Sequence, residues 1–269
     1  MSEPLTLELT DGVATVTIDH PPINLFDLQL YPAMVQTAHR LAADPAVHVV
    51  VLRSANPDFF IAHFDVTLIQ RLPTDLPAAD VLNDFHLMCE AFRTMPKATI
   101  AVIEGRVGGG GSELALSCDM RFAALGRAVF SQPEVALGIL PGGSGTVRLP
   151  RLIGRSRALE VILGCDDMDA ATAERWGWVN RALPPDELWP FVQRLAGRIS
   201  RFPTHAVAAA KAAVLRAEKD VVADLLGEAA AFAVTLGEPS ARAAMDAFMA
   251  AGGQTPEGEH RLGDLAGEL

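Results

Sequence analysis

Residues 96–151 read PKATIAVIEGRVGGGGSELALSCDMRFAALGRAVFSQPEVALGILPGGSGTVRLPR. Within them, 99–104 (TIAVIE) is a short apolar run, rich in β-branched residues and bounded by Pro96 and Gly105. That pattern predicts a strand buried on both faces, in a sheet covered by helices. Gly108 to Gly111 follow, and SELALSC (112–118) predicts a helix whose first turn carries Glu113. Glycines at a strand-to-helix turn leave no side chain between the backbone amides and a ligand. Amides at a helix start lack intrahelical partners and carry the positive end of the dipole, so they suit an anion or a carbonyl that becomes anionic.

Glu113 has two readings. It is a glutamate that complements the helix dipole, or a working carboxylate in a helix apolar almost all round. Glu134 follows Gln132 and Pro133 and precedes the apolar run VALGIL and the PGGSG turn at 141–145. Two acids in apolar surroundings can hold different protonation states, as acid–base chemistry on one substrate requires, although structural networks bury acids too. PGGSG lacks the Lys-Ser/Thr of a P-loop, and neither glycine cluster has the spacing of a dinucleotide fingerprint.

Outward from this stretch, residues 5–19 alternate around Asp11-Gly12, which predicts a hairpin with a two-residue turn. A helix is expected over 26–43, ending before Asp44-Pro45, then a second buried strand at 47–52. Strand, helix and strand at these lengths suggest a parallel α/β arrangement. Two helical stretches are expected in 66–95, the second over about 79–93, and Leu68, Leu72, Leu82, Phe85 and Met88 are candidates for a pocket or for plain core. Residues 149–164 read as one helix, followed by a helix capped near Asp169 that runs into a short strand. The cluster Arg148, Arg151, Arg155 and Arg157 reads as helix-end charge complementing dipoles, with phosphate binding as the alternative. From Pro184 the chain turns helical, over about 185–201, 203–218, 220–236 and 239–251, with alanine runs of high helix propensity.

The 269 residues suffice for a sizeable core. With 22 basic against 33 acidic residues the net charge is −11, which argues against nucleic-acid or anionic-membrane partners. Three separated cysteines form neither a disulfide framework nor a metal spacing, so a cytoplasmic location is expected. No basic-then-apolar leader and no membrane-length apolar run is seen.

The runs IAVIEGRVGGGGSELALSCD (100–119) and FSQPEVALGILPGGSGTVRLPRLIG (130–154), with IDHPPIN (18–24) and FFIAHFD (59–65), resemble the enoyl-CoA hydratase/isomerase (crotonase) family. The resemblance covers nearly the whole chain. It implies an α/β fold, a crotonase-like spiral of β-β-α turns with a C-terminal helical trimerisation region. The chain is expected to divide into a core at 1–195 carrying the site and a helical region at 196–251. The acidic, glycine-containing stretch at 252–269 itself reads as a flexible tail. Glu113 and Glu134 would be the catalytic pair, and the amides of Phe64 and Gly110 the oxyanion donors. Substrate contacts would come from Ala62, His63, Asp65, Gly109, Pro133, Pro141 and Gly142.

The implied activity is hydration of a 2-enoyl-CoA, with no metal and no cofactor beyond the CoA thioester. Partners would be an acyl-CoA and further copies of the chain, as a homotrimer or homohexamer. Double-bond isomerisation and a catalytically idle acyl-CoA-binding subunit are the alternatives. Two positions depart from the pattern. His63 stands where the family commonly has glycine, and it reads as a loop side chain pointing away from the site, with a pocket wall, proton carrier or metal ligand beside Asp65 as alternatives. The tail carries only Arg261 where relatives often have a basic segment near the CoA phosphates.

Overall fold

The structure, a computed structural model, describes residues 3–74 and 80–269. Strands β1 (Leu5–Thr10) and β2 (Val13–Ile18) form the expected antiparallel hairpin, closed by positive φ at Asp11 and Gly12. Then come α1 (Leu30–Ala43), β3 (Val49–Ser54), β4 (Phe59–Ile61) and the single turn α2 (Val66–Ile69). The next elements are α3 (Asp84–Thr94), β5 (Ala98–Ile103), β6 (Arg106–Gly108) and α4 (Gly109–Ser117). After β7 (Met120–Ala124) and β8 (Val129–Ser131), a 3-10 turn over Glu134–Leu137 leads to α5 (Gly145–Ile153) and α6 (Arg155–Gly164). The short β9 (Met168–Asp169), α7 (Ala170–Trp176), β10 (Arg181–Leu183) and α8 (Pro185–Ile199) complete the layered part. The chain ends in α9 (Thr204–Leu215), α10 (Val221–Gly237), α11 (Pro239–Ala250), α12 (Pro256–Glu259) and α13 (Leu262–Glu268).

Strands β1-β2-β3-β5-β7-β10 form the larger sheet and β4-β6-β8-β9 the smaller. From β2 to β10 every neighbouring pair in the larger sheet is parallel. A strand of the larger sheet, a strand of the smaller and a helix recur as β3-β4-α3, β5-β6-α4 and β7-β8-α5. That recurrence is the spiral of β-β-α turns. Side-chain alternation explains why its strands are apolar on both faces. Val49 and Val51 of β3, with Ile100 and Val102 of β5, pack on Leu188, Val192 and Ala196 of α8. Their neighbours Val50, Leu52, Ala101 and Ile103 enter the main core with residues of α1, α3 and α4.

Several boundaries differ from expectation, each for a local reason. The helix expected over 26–43 starts at Leu30, because Phe26 is bridged to Phe64 and the Asp27 carboxylate accepts from the Gln29 and Leu30 amides. The strand expected at 47–52 lies at Val49–Ser54, in register with β2. The single helix read over 149–164 is two helices broken at Gly154, whose φ is 82°, and the first begins at Gly145. The stretch expected over 79–93 is helical at Asp84–Thr94, with Asn83 capping it, and Ala79 lies outside the described residues.

The boundary drawn at 195/196 is also corrected, since it falls inside α8, which packs on the larger sheet. The tail at 252–269 is not a loose acidic extension. It forms α12 and α13, and Leu262 and Leu265 are buried with Val66, Leu137, Met245 and Phe248. Among the described residues no helix is long and apolar enough to cross a membrane.

Candidate active site

Strand β6 ends at Gly108, and α4 starts at once, so Glu113 sits one turn into the helix rather than in its first turn. Every residue of α4 is buried. Gly109 adopts φ 44°, and a Cβ there would stand 3.0 Å from both the His63 Cβ and the Glu134 Oε1. Only glycine satisfies that backbone and that space together. Gly110, the second helical residue, leaves its N–H without an intrahelical acceptor. A Cβ built on it would be 3.5 Å from the Phe64 Cβ, so the two expected oxyanion donors are neighbours.

A single parallel bridge leaves the Phe64 amide unpaired with its neighbouring segment. Phe26 N–H donates to His63 O at 3.0 Å and Asp65 N–H to Phe26 O at 3.0 Å, which turns the N–H of Phe64 itself away from Phe26. Glu113 is held from the far side, where its Oε1 accepts the N–H groups of Gly143 and Gly145, both at 2.8 Å. The alternate amides, of Ser144 at 2.6 Å and Thr146 at 2.9 Å, donate to Glu228 of α10. The glycine-rich turn is thus clamped between two carboxylates at the positive end of α5.

A cavity of about 360 Å³ is lined by His63, Phe64, Gly110, Glu113, Pro133, Glu134 and Gly142, all expected in the site. Ala62, Asp65, Gly109 and Pro141 do not line it. Asp65 caps α2 by accepting the Thr67 N–H at 2.8 Å, and Ala62 is wholly buried in the wall behind. His63 corrects the expectation of a side chain turned away, for it is 5% exposed and lies on the cavity wall. Its Nε2 is 3.0 Å from Glu259 Oε1 of α12. Among the described residues no three His, Cys, Asp or Glu side chains cluster to hold a metal ion.

The apolar part of the cavity comes from distant segments. Of the five candidates, Leu72 and Phe85 line it, whereas Met88 is in the main core and Leu82 packs with Val147, Val221 and Leu225. Leu68 is not on the wall. Tyr31 and Phe232 are lining residues that the sequence reading missed. Tyr31 stacks on Phe85 (5.9 Å, 26°) and meets Phe64 edge-on at 5.4 Å. Burial, then the nearby Asp84, pushes the Tyr31 phenol up to about 12. No motif marks Tyr31 or Phe232, and only the loose aromatic content of α1 and α10 hinted at either. The four arginines are not gathered round the cavity. Arg148 pairs with Glu90 at 2.6 Å, and Arg151 pairs with Asp224.

The two acids differ electrostatically. Burial pushes the Glu134 carboxyl up to about 7, the charge of His63 opposing and that of Glu228 adding to the shift. Glu134 Oε2 is buried and has no hydrogen-bond partner among the described residues. Glu113 is raised as well, by burial and by the facing Glu134 and Glu228, while the Gly145 and Gly143 amides favour its charged form. Both carboxyls are therefore raised, and what distinguishes them is the pair of fixed amide donors that favours the anion of Glu113.

This combination, a β-β-α spiral with two acids and two free amides in one cavity, defines a class. The chain belongs to the enoyl-CoA hydratase/isomerase family, whose model matches residues 8–253. It is 34% identical to the crotonyl-CoA hydratase of Syntrophomonas wolfei, over 92% of this chain and 95% of that one. A probable enoyl-CoA hydratase of Mycobacterium leprae is 35% identical over 94% of this chain and 98% of its own. A Streptomyces avermitilis crystal structure, provisionally described as an enoyl-CoA hydratase, superposes with a TM-score of 0.89 at 38% identity. That match covers 98% of this chain and 97% of the other.

Proposed function

We propose that this protein is an enoyl-CoA hydratase, adding water across the 2,3 double bond of a 2-enoyl-CoA to give a 3-hydroxyacyl-CoA. One observation carries the reading: Glu113 and Glu134 line the same cavity as Phe64 and Gly110. The thioester carbonyl would sit between the two amides, whose dipoles are oriented before charge develops. One such donor typically lowers the barrier by about 3 kcal/mol. Glu113 would take a proton from the water that attacks C3, and Glu134 would give its proton to C2. The enolate forms and collapses on amides and carboxylates, so the chemistry calls for no metal or redox cofactor. Isomerisation needs one shuttling carboxylate, and the presence of two in one cavity favours hydration.

The same reading includes a cytoplasmic protein that assembles as a homotrimer or homohexamer. Val214, Val222 and Val234, exposed on or beside α9 and α10, are candidates for that contact. The acyl chain would extend among Tyr31, Leu72, Phe85 and Phe232. The test is loss of the conjugated enoyl-thioester absorbance with short and medium 2-enoyl-CoAs. Glu113→Gln and Glu134→Gln are each expected to lower kcat by about 100- to 10,000-fold, the usual worth of a general acid or base. Activity confined to shifting the double bond of a 3-enoyl-CoA would instead favour the isomerase.

A further inference from the structure

His63 immediately precedes the Phe64 amide, and its ring meets two acceptors. Nδ1 is 2.8 Å from the Phe64 carbonyl oxygen and Nε2 is 3.0 Å from Glu259 Oε1. A carbonyl has no proton to give, and Glu259 Oε1 already accepts the Gln254 N–H at 2.9 Å. With Glu259 ionised, both ring nitrogens donate, which only the imidazolium does. Glu259 is fully buried, and a buried carboxylate needs a counter-charge. Arg106, which also faces it, is committed to Asp167 by two bonds of 2.6 Å.

The same segment grips the other side of Phe64. Gln254 Oε1 accepts the Val66 N–H at 2.5 Å, and Gln254 Nε2 donates to Asp65 at 3.1 Å. The loop holding the Phe64 amide is therefore fixed from both ends by residues some 190 positions later in the chain. On the cavity side, the His63 Cβ and Glu134 Oε1 both lie 3.0 Å from the point where a Gly109 Cβ would be. The other charged or titratable groups acting on Glu134 are anionic or neutral: Glu113 and Glu228, with Cys165 behind it. Around His63 stand Glu259, Glu134, Asp65 and the Phe248 ring, at 6.0 Å.

We propose that the His63–Glu259 ion pair is a positioning device, by which the C-terminal segment fixes the Phe64 amide and holds a positive charge beside Glu134 at neutral pH. Its catalytic half rests on the hydratase reading. Its charge half does not.

The test uses the full chain and the variants His63→Gln, Glu259→Gln and the double variant. His63→Gln keeps a donor for Glu259 and removes the charge. Imidazole nitrogen NMR near neutral pH is expected to show His63 doubly protonated in the wild type and singly protonated in Glu259→Gln. Because Glu134 acts as the proton donor, the basic limb of kcat reports it. Removing a neighbouring positive charge raises its pKa, so His63→Gln should move that limb up by about one pH unit, the usual effect of one nearby charge. An accompanying loss in kcat of about tenfold is expected, with KM nearly unchanged, as for an interaction made in the transition state.

A neutral His63 in the wild type, or a basic limb unmoved in His63→Gln, overturns the proposal. If His63→Gln does not fold, the uncharged double variant carries the pH comparison with the same two outcomes. If the wild type hydrates no enoyl thioester, the hydratase reading fails. The proposal is then decided by the His63 ring protons and by carboxyl-carbon NMR titration of Glu134, which must shift upward in the variant.

Discussion

Glu113 and Glu134 are chemically identical side chains that the fold makes unlike. Burial raises both, but two amides favour charge on Glu113 Oε1, whereas Glu134 Oε2 has no partner among the described residues and its carboxyl is pushed up to about 7. With Glu134 as proton donor, hydration is expected to decline as pH rises through about 7, and kcat measured across that range checks it. His63 supplies a second pH effect. Burial opposes its charge, but Glu259 outweighs burial and lifts it from 6.5 to about 9. Its stabilising contribution is complete below 6.5 and fades as pH rises through about 9. Glu259, held low chiefly by His63 against burial, contributes above the ordinary glutamate range and loses its contribution in acid. His63→Ala should therefore cost about 3–5 kcal/mol near pH 6, the usual cost of halving a buried pair, and less above pH 9. Urea unfolding at several pH values measures the difference.

The turn between the 3-10 segment and α5 decides whether Glu113 is usable. Four successive amides, from Gly143 to Thr146, alternate between Glu113 of α4 and Glu228 of α10. Glu228 is itself buried beside His86, 3.3 Å away. Glu228→Gln places a neutral amide against two buried N–H donors and His86. It should cost about 1–3 kcal/mol, as expected when a buried charged acceptor is lost. It should also lower kcat, because the turn that orients Glu113 loosens. Gly143→Ala is a sharper test. The added Cβ would lie 2.3 Å from Glu113 Oε2 and 2.5 Å from the Phe85 ring, so the carboxylate must move. Loss of kcat by at least about 100-fold is expected, since misplaced catalytic groups cost that much, while the far-UV circular dichroism stays native.

The molecule closes on itself around the cavity. Helices α10, α11 and α13 return over α2 and the 3-10 turn, burying Ala241, Met245, Phe248, Leu262 and Leu265 against Val66, Leu137 and Ile139. The last part of the chain thus backs the cavity wall formed by Val66, Leu137 and Ile139, and its stability is tied to the site's geometry. Leu262 is almost wholly buried, and a Cβ on Gly108 would lie 3.8 Å from its Cδ2. Leu262→Ala should cost about 2–5 kcal/mol, the range for a buried leucine truncation, and thermal unfolding measures it. Ending the chain after Ala251 would remove Gln254, Glu259, Leu262 and Leu265 together. The shortened protein is expected to lose hydration activity altogether, which assays on refolded material would check.

Local pattern carried much of this protein. The period-two apolar strands, the Asp11-Gly12 turn, the glycine run ahead of an apolar helix and the two acids were legible because each depends on neighbours a few residues away. The family resemblance supplied the spiral and brought Glu113, Glu134, Phe64 and Gly110 together as candidates. Local pattern also misled. An acidic, glycine-containing stretch at 252–269 reads as solvated chain, because carboxylates ordinarily stay in water. Here one of them is buried through a histidine 196 positions earlier. The clamp of Glu228 on the turn and the aromatic wall of Tyr31 and Phe232 are of the same kind. A side chain's protonation and role depend on which charges and amides surround it, and those come from segments that meet only when the chain is packed. The sequence determined most of the elements and the candidate reacting groups, and the tertiary structure decided their partners.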